Sequence, residues 1–406
     1  MTTRERMLAT IRGEPTDMIP WVPRLDLWYI ALRGRGQLPS PFVGLNLVQV
    51  ADCLGVGCHA VRGDRTISRD PSDLALRGLG IENHPDFPYR VVLRDLPIEA
   101  NSHAGHFETT IRTGAGDVTM AFDLTRAMAQ NGISTPFFSK RAIESVDDFE
   151  PVARIFEHLE VIPTQASYSA FKRRFGEAGI AVASGPSAAS PMHLILHDLM
   201  AMDQFMFSYH DRPEEVRCLA DRLAPFFEAV LDAEVTSEAE VVWWGANYDQ
   251  SVTWPTFFAE EIAPWLQHVR ARLHQGGKLL LTHADGELAA LLPAISTCRV
   301  DVAESVCAYP MTRLTLAQLR DGMGATTTIW GGIPATALLD EVMDDRDFDS
   351  YLVQLFDDLG SGERLILGVS DNVPPDAKLE RLARVSALVR DFGPVCPSSR
   401  SDVPPG

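Results

Sequence analysis

Cysteine is scarce: the 406-residue chain has six, Cys53, Cys58, Cys218, Cys298, Cys307 and Cys396, and no CxxC pair. That excludes a disulfide framework and a cysteine-rich zinc module, and it reads as free, mostly buried thiols. Long apolar runs are missing too. No window approaches the ~18 uninterrupted apolar residues of a membrane span. Basic charge is outweighed, with 36 Lys+Arg against 55 Asp+Glu and a net charge of −19. Phosphates require a basic patch, so a nucleic-acid surface is not expected. The phosphate-cradling GxxxxGKS/T loop, a GxGxxG after a strand and the GxSxG elbow are all absent, which removes nucleotide-binding and α/β-hydrolase readings. The start, Met1 through Arg6, leads into an amphipathic stretch and not an apolar signal core. A cytoplasmic location is the default expectation.

What is present is an ordinary folded-protein composition, 46% hydrophobic and 22% charged. Short apolar runs at 180–184, 241–244, 278–283, 300–304, 326–331 and 365–370 each stop at a polar or glycine residue. Stretches with helical spacing lie between them, at 213–235, 254–275, 287–296, 314–321 and 345–359. Continuous apolar strands alternating with helices predict a parallel sheet covered on both faces. Runs at 18–23 and 53–60 raise the tally to eight, which predicts an α/β fold of the (β/α)8 TIM-barrel type over residues 1–393. Apolar–polar alternation at 89–92, 107–113 and 117–122, with Gly114-Ala115-Gly116 between the last two, predicts an inserted β-hairpin within residues 80–135. The Pro- and Ser-rich tail 394–406 is expected to fray.

Active sites of such barrels form at the C-terminal ends of the strands. Those ends here read Ser184-Gly185-Pro186, Trp244 through Asp249, His283-Ala284-Asp285, Glu304, Gly331-Gly332 and Ser370-Asp371-Asn372. Residues i and i+2 of a strand face one side, so His283 and Asp285 can point into one cavity. Glu304 closes the next strand and Asp371 the last. Nitrogen and oxygen donors of this kind suit zinc with an open position. From spacing alone, polar loop caps are the stronger reading, with Asp285-Gly286 as a turn. Asn247, Tyr248 and Asp249 are the catalytic candidates, since an Asn–Tyr pair at a strand end can donate to a substrate oxygen. Trp28, Tyr29, Trp244, Asn247 and Tyr248 are expected to wall a pocket for a small, flat ligand. The alternative is that Trp243 and Trp244 alternate between core and barrel wall. His193 and His197, four apart on a helical stretch, read as core packing and a loop cap.

Three segments together resemble the uroporphyrinogen decarboxylase superfamily: Thr3 to Pro20, Gly276 to Gly286, and Ser370-Asp371-Asn372-Val373-Pro374-Pro375-Asp376. The resemblance implies a (β/α)8 barrel. True uroporphyrinogen decarboxylases hold a carboxylate-rich tetrapyrrole with N-terminal arginines, whereas this chain reads Pro23-Arg24-Leu25-Asp26, one arginine and an acid. The resemblance therefore leans to the corrinoid- and thiol-dependent methyltransferases, whose zinc is held by a His, two Cys and, close by, a Glu. His283 and Glu304 match that His and Glu, while Asp285 and Asp371 stand where the cysteines would be. Either the site has hardened toward oxygen chemistry or the zinc has been lost.

The first alternative implies a metal-dependent methyltransferase, an O-demethylase that moves a methyl group from a small methoxylated substrate, aromatic ones included, to a corrinoid protein or a folate such as tetrahydrofolate. The second implies a decarboxylase or lyase on a small carboxylic acid. A non-catalytic ligand-binding barrel is the third reading. No DxHxxG corrinoid signature occurs, so a corrinoid would ride on a separate protein. A homodimer is compatible with the sequence.

Overall fold

The computed structural model describes residues 1–60, 68–133 and 135–397. Six parallel strands run side by side in chain order: Ala183–Ser184, Val241–Ala246, Leu279–His283, Val302–Val306, Thr328–Pro334 and Leu365–Ser370. Two short extended segments join the edges of this sheet. Val22 N–H donates to Leu367 O, Leu367 N–H to Pro20 O and Gly57 N–H to Trp21 O, each at 2.8 Å. On the far side, Cys58 N–H donates to Ala178 O and Val182 N–H to Ala60 O. The ring of eight thereby closes into a (β/α)8 barrel, as the run count and the resemblance both required. The expected strand at 53–60 begins too early. Leu47–Leu54 is a helix with an Asn46/Gln49 capping box, and it ends on Gly55 in the left-handed region.

Parity along the strands divides the core into two layers. Val241 and Trp243, Leu281, Val302, Trp330 and Ile366 fill the barrel interior with Met7, Leu8 and Ile11 of the N-terminal helix Thr3–Arg12. Their neighbours Val242, Trp244, Leu280, Ala303 and Leu365 face the surrounding helices. All lie on strands buried on both faces, which is why their sequence is continuously apolar. Among the described residues no helix is long and apolar enough to cross a membrane. The cysteines are all free, but Cys53, Cys218 and Cys396 are exposed, so only half of the thiols are buried as expected.

The predicted hairpin is present as His106–Thr113 with Gly116–Asp123, and it is the centre of something larger. Ile98–His103 and Phe137–Lys140 extend it to a four-stranded antiparallel sheet. Tyr89–Leu93 pairs instead with Leu159–Pro163, so the excursion runs past residue 135. Phe107, Phe122 and Leu124 give this sheet its own small core against Leu74. The tail is also shorter than expected. Val395 is buried and pairs with Thr16, while 398–406 lie outside the described residues.

One buried group inside the long helix Pro213–Thr236 sets a pH dependence on the fold. Neither carboxylate oxygen of Glu234 has a hydrogen-bond partner, and burial, opposed by Lys278, pushes its pKa up to about 8. A raised folded-state pKa gives stability that is complete below the unfolded value and is lost as pH climbs through about 8. Thermal melts should therefore show the protein weakening between about pH 5 and about pH 9, and Glu234→Gln flattening that slope. Parallel slopes for the two proteins would show that Glu234 does not carry it.

Candidate active site

A cavity of 490 Å³ opens where the barrel strands end, with Trp243, Asn247, His283 and Asp371 in its wall. Arg24 and Asp26, which follow the first barrel segment, lie on one side, and the inserted sheet closes over it with Ile133, Phe138 and Arg141. Two hydrogen-bonded clusters face this space.

The first is built on His283. Its Nδ1 lies 2.5 Å from Glu304 Oε2, and Glu304 Oε1 lies 2.9 Å from His59 Nε2. Nε2 of His283 is thus turned outward, 3.8 Å from Asp285 Oδ2 and 3.7 Å from Asp371 Oδ1. Asp371 is held on both oxygens: Oδ1 accepts from Arg24 Nη1 at 2.6 Å and from Ser305 Oγ, and Oδ2 from Asn372 Nδ2. Arg24 Nε in turn donates to Asp26. Burial works against charge on His283, but Glu304 and Asp285 outweigh it and raise the imidazole pKa well above its ordinary value. Burial likewise opposes ionisation of Glu304, and His283 followed by His59 holds it ionised. For Asp371 the sequence of effects is the same, with Arg24 as the main stabilising charge.

These residues fit a divalent ion. One donor atom from each of His283, Glu304 and Asp371 lies within 4.8 Å of the others. Tetrahedral coordination at ~2.1 Å places donors about 3.4 Å apart, close to the spacings around His283 Nε2. Asp285 Oδ1 is buried with no hydrogen-bond partner, a donor left for something not made of protein. Glu304 belongs to that set and also supports His283. Both of its oxygens already engage imidazole nitrogens, so it orients His283 from behind, as carboxylates behind metal-bound histidines do.

The second cluster was not expected. The helical stretch around His193 and His197 switches from α-helix to a π-helical turn at Ile195–Leu199. Such turns recur at functional sites, and this one brings His197 and Asp198 to the cavity wall. His197 Nδ1 lies 2.9 Å from Asp198 Oδ2, and its Nε2 lies 3.0 Å from Asn247 Nδ2. Asp198 raises the His197 pKa, against burial. Gly80 leaves the space for Asp198: its φ is +76°, and a Cβ there would meet the Asp198 carboxyl at 2.5 Å. His193, in contrast, is the packed residue that the spacing suggested. It is buried, accepts from Ala189 N–H through Nδ1, and has its pKa pushed down to about 3 by burial.

Of the catalytic trio, only Asn247 reaches the cavity. Tyr248 is buried beneath it, its hydroxyl bonded to Thr282 Oγ1 at 2.7 Å and its ring packed edge-on against Phe258. Asp249 braces loops, accepting from the backbone N–H of Ser251 and Glu287. The aromatic wall is also different. Trp244 points away from the barrel axis and donates to Ala189 O, so its inward neighbour Trp243 takes the expected place. Trp28 and Tyr29 lie on the buried face of the helix Asp26–Arg35, Trp28 against Phe42 and the Tyr29 hydroxyl on Leu45 O. Leu27 and Ile30 line the cavity instead. A Cβ on Gly331 would meet Ser370 and the Val306 backbone at 2.8 Å, so this glycine permits close strand contact. Parity on strand 241–246 carried the signal for Trp243, whereas nothing in the sequence paired His59 with Glu304 or Arg141 with the cavity.

The Asp198 contact has a direct spectroscopic consequence. In ring-nitrogen NMR titrations, Asp198→Asn should bring the His197 midpoint down toward the ordinary value of about 6.5. An unchanged midpoint would mean that Asp198 does not charge the imidazole.

Comparison with known proteins agrees with this architecture. A methyltransferase from Methanosarcina mazei superposes with a TM-score of 0.57 at 14% sequence identity, over 96% of this chain and 98% of that one. At that identity the likeness establishes the fold. No curated protein matches. The family model of uroporphyrinogen decarboxylase (URO-D) matches residues 119–392, about two thirds of the chain. The chain belongs to the uroporphyrinogen decarboxylase family.

Proposed function

We propose that this protein is a metal-dependent methyltransferase that removes a methyl group from a small methoxylated compound and delivers it to a corrinoid carried by a separate protein, or to a folate. The observation that carries the reading is His283: Glu304 fixes its Nδ1, and its Nε2 faces Asp285 and Asp371. Zinc held by His283, Asp285 and Asp371 would have one nitrogen and two oxygen donors, a harder set than thiolates. When bound, such an ion supplies Lewis acidity to an ether oxygen as its methyl group departs. The name of the superposed archaeal protein, a methyltransferase, supports the same class.

The chain's own residues do the rest. Glu304 keeps the His283 ring oriented and Arg24 steadies Asp371. Trp243 with Leu27 and Ile30 presents an apolar wall suited to a flat substrate and poor in sites for water. Arg24 also favours a second reading. Its guanidinium already occupies Asp371 Oδ1, so that carboxylate is balanced without an ion, and the cluster would suit a metal-free lyase that uses His283 as proton donor.

Metal analysis of protein purified without chelators separates the two, with about one zinc per chain expected for the methyltransferase. His283→Ala should abolish both the bound metal and demethylation of a methoxylated test compound in protein that still folds but melts at a lower temperature, because Glu304 loses one of its two partners. Glu304→Gln should weaken metal affinity about 10- to 100-fold. Metal-free protein that leaves the methoxylated compound intact yet decarboxylates a small acid would sink the methyltransferase reading and leave the lyase.

A further inference from the structure

We propose that the cavity wall formed by Arg141, His197 and Asn247 binds an anionic substituent of the substrate, specifically the carboxylate of an aromatic acid. The proposal deepens the methyltransferase reading, on which it rests only for what happens at the other end of the ligand.

Three arginines line the cavity, and their partners differ. Arg24 is paired with Asp26 and Asp371, and Arg77 with Glu82. Arg141 makes no ion pair among the described residues. Its Nη1 donates to two backbone carbonyls of the π-helical turn, His197 O and Asp198 O, each at 2.7 Å. Those are weak counter-charges for a guanidinium. Nε and Nη2 form the other edge of the planar fork, and they have no hydrogen-bond partner among the described residues. That edge is the one that takes a carboxylate through two parallel hydrogen bonds.

The guanidinium is also held in place before any ligand arrives. Its central carbon sits 5.1 Å from the centre of the Phe138 ring, and the backbone next to it is tied to the barrel where Ile143 N–H donates to Leu199 O. A fork fixed on one edge by the protein and open on the other loses little freedom on binding. Asn247 adds an amide beside His197, whose other ring nitrogen lies on Asp198. The Arg141 cluster thus offers an open guanidinium edge and an amide against one carboxylate, Asp198, while the His283 cluster carries Asp285, Asp371 and Glu304 against Arg24. No hydrogen bond joins the two clusters among the described residues. A carboxylate finds its unoccupied guanidinium edge at the Arg141 cluster, which fixes its direction in the cavity.

The class of ligand follows from what lies between. Leu27, Ile30, Phe138 and Trp243 are apolar or aromatic, and a 490 Å³ cavity suits a single small ring system. An aromatic acid with its carboxylate on Arg141 leaves a ring substituent free to approach His283.

The test uses 4-methoxybenzoate and its neutral counterpart 4-methoxybenzamide as probes, with binding to the full chain followed by calorimetry in the absence of any methyl acceptor. The wild-type protein should prefer the acid by about tenfold or more. Arg141→Gln should weaken the acid by about 10- to 100-fold and leave the amide unchanged. Arg141→Lys, which keeps the charge without the fork, should recover part of that loss. Equal binding of acid and amide by the wild type overturns the proposal without recourse to any variant. So does failure of the acid to bind, or an Arg141→Gln protein that loses both probes equally. If the acid binds through Arg141 but keeps its methyl group when a reduced corrinoid and tetrahydrofolate are each supplied, the anion site stands and the methyltransferase reading fails.

Discussion

The Glu304 carboxylate, buried at the end of its strand and bonded to an imidazole on each oxygen, is the contact on which the rest of the site depends. His59 comes from the second barrel segment and His283 from the neighbouring strand, so one carboxylate ties two separate parts of the ring together. It also leaves His283 with one nitrogen to present to the cavity. A buried charge of this kind is tolerated only when its partners are in place, and losing one partner costs about 3–5 kcal/mol. The orientation of His283 and the integrity of the barrel mouth are therefore one property. His59 is itself wedged against Trp330, 4.5 Å between ring centres, which connects the cluster to the packed interior below.

Around that fixed point the cavity is electrically uneven in a chain that carries a net charge of −19. Carboxylates crowd His283, and Arg24 is consumed in balancing them. Arg141 is held against backbone carbonyls in a setting that burial makes less favourable for its charge. The two clusters owe their separation to different parts of the chain. Strand ends deliver the first. The second combines a π-helical turn with the inserted antiparallel sheet, a part of the chain that the regular barrel does not require. General chemistry of the barrel and recognition of a particular ligand thus have separate structural sources.

The barrel was legible because strands buried on both faces must be apolar throughout and must stop where the chain turns polar. That pattern located six strands, and the resemblance and the two N-terminal runs supplied the closure. Where it failed, a local signal had competed with it: residues 53–54 are apolar enough for a strand but belong to a capped helix. The four-stranded insert was read as a hairpin because only its two central strands alternate cleanly. Ile98–His103 is largely exposed, and Phe137–Lys140 is short.

By itself the sequence determined the periodicities, the strand ends and the residue types standing there, and with them the grouping of His283, Asp285, Glu304 and Asp371 at one rim. Side-chain parity gave the direction of His283, because alternation on a strand is a local property of the backbone. Only the tertiary structure decided which aromatic residues face the cavity. Tyr248 lies just after a strand end, where no fixed period governs direction, and Trp28 and Tyr29 lie on a helix whose packing decides which face meets the cavity. It alone placed His59 behind Glu304, 245 residues away in the chain, and Arg141 beside His197. Such contacts depend on closure of the ring and on how the insert folds back over it, and neither leaves a periodic trace in the order of amino acids.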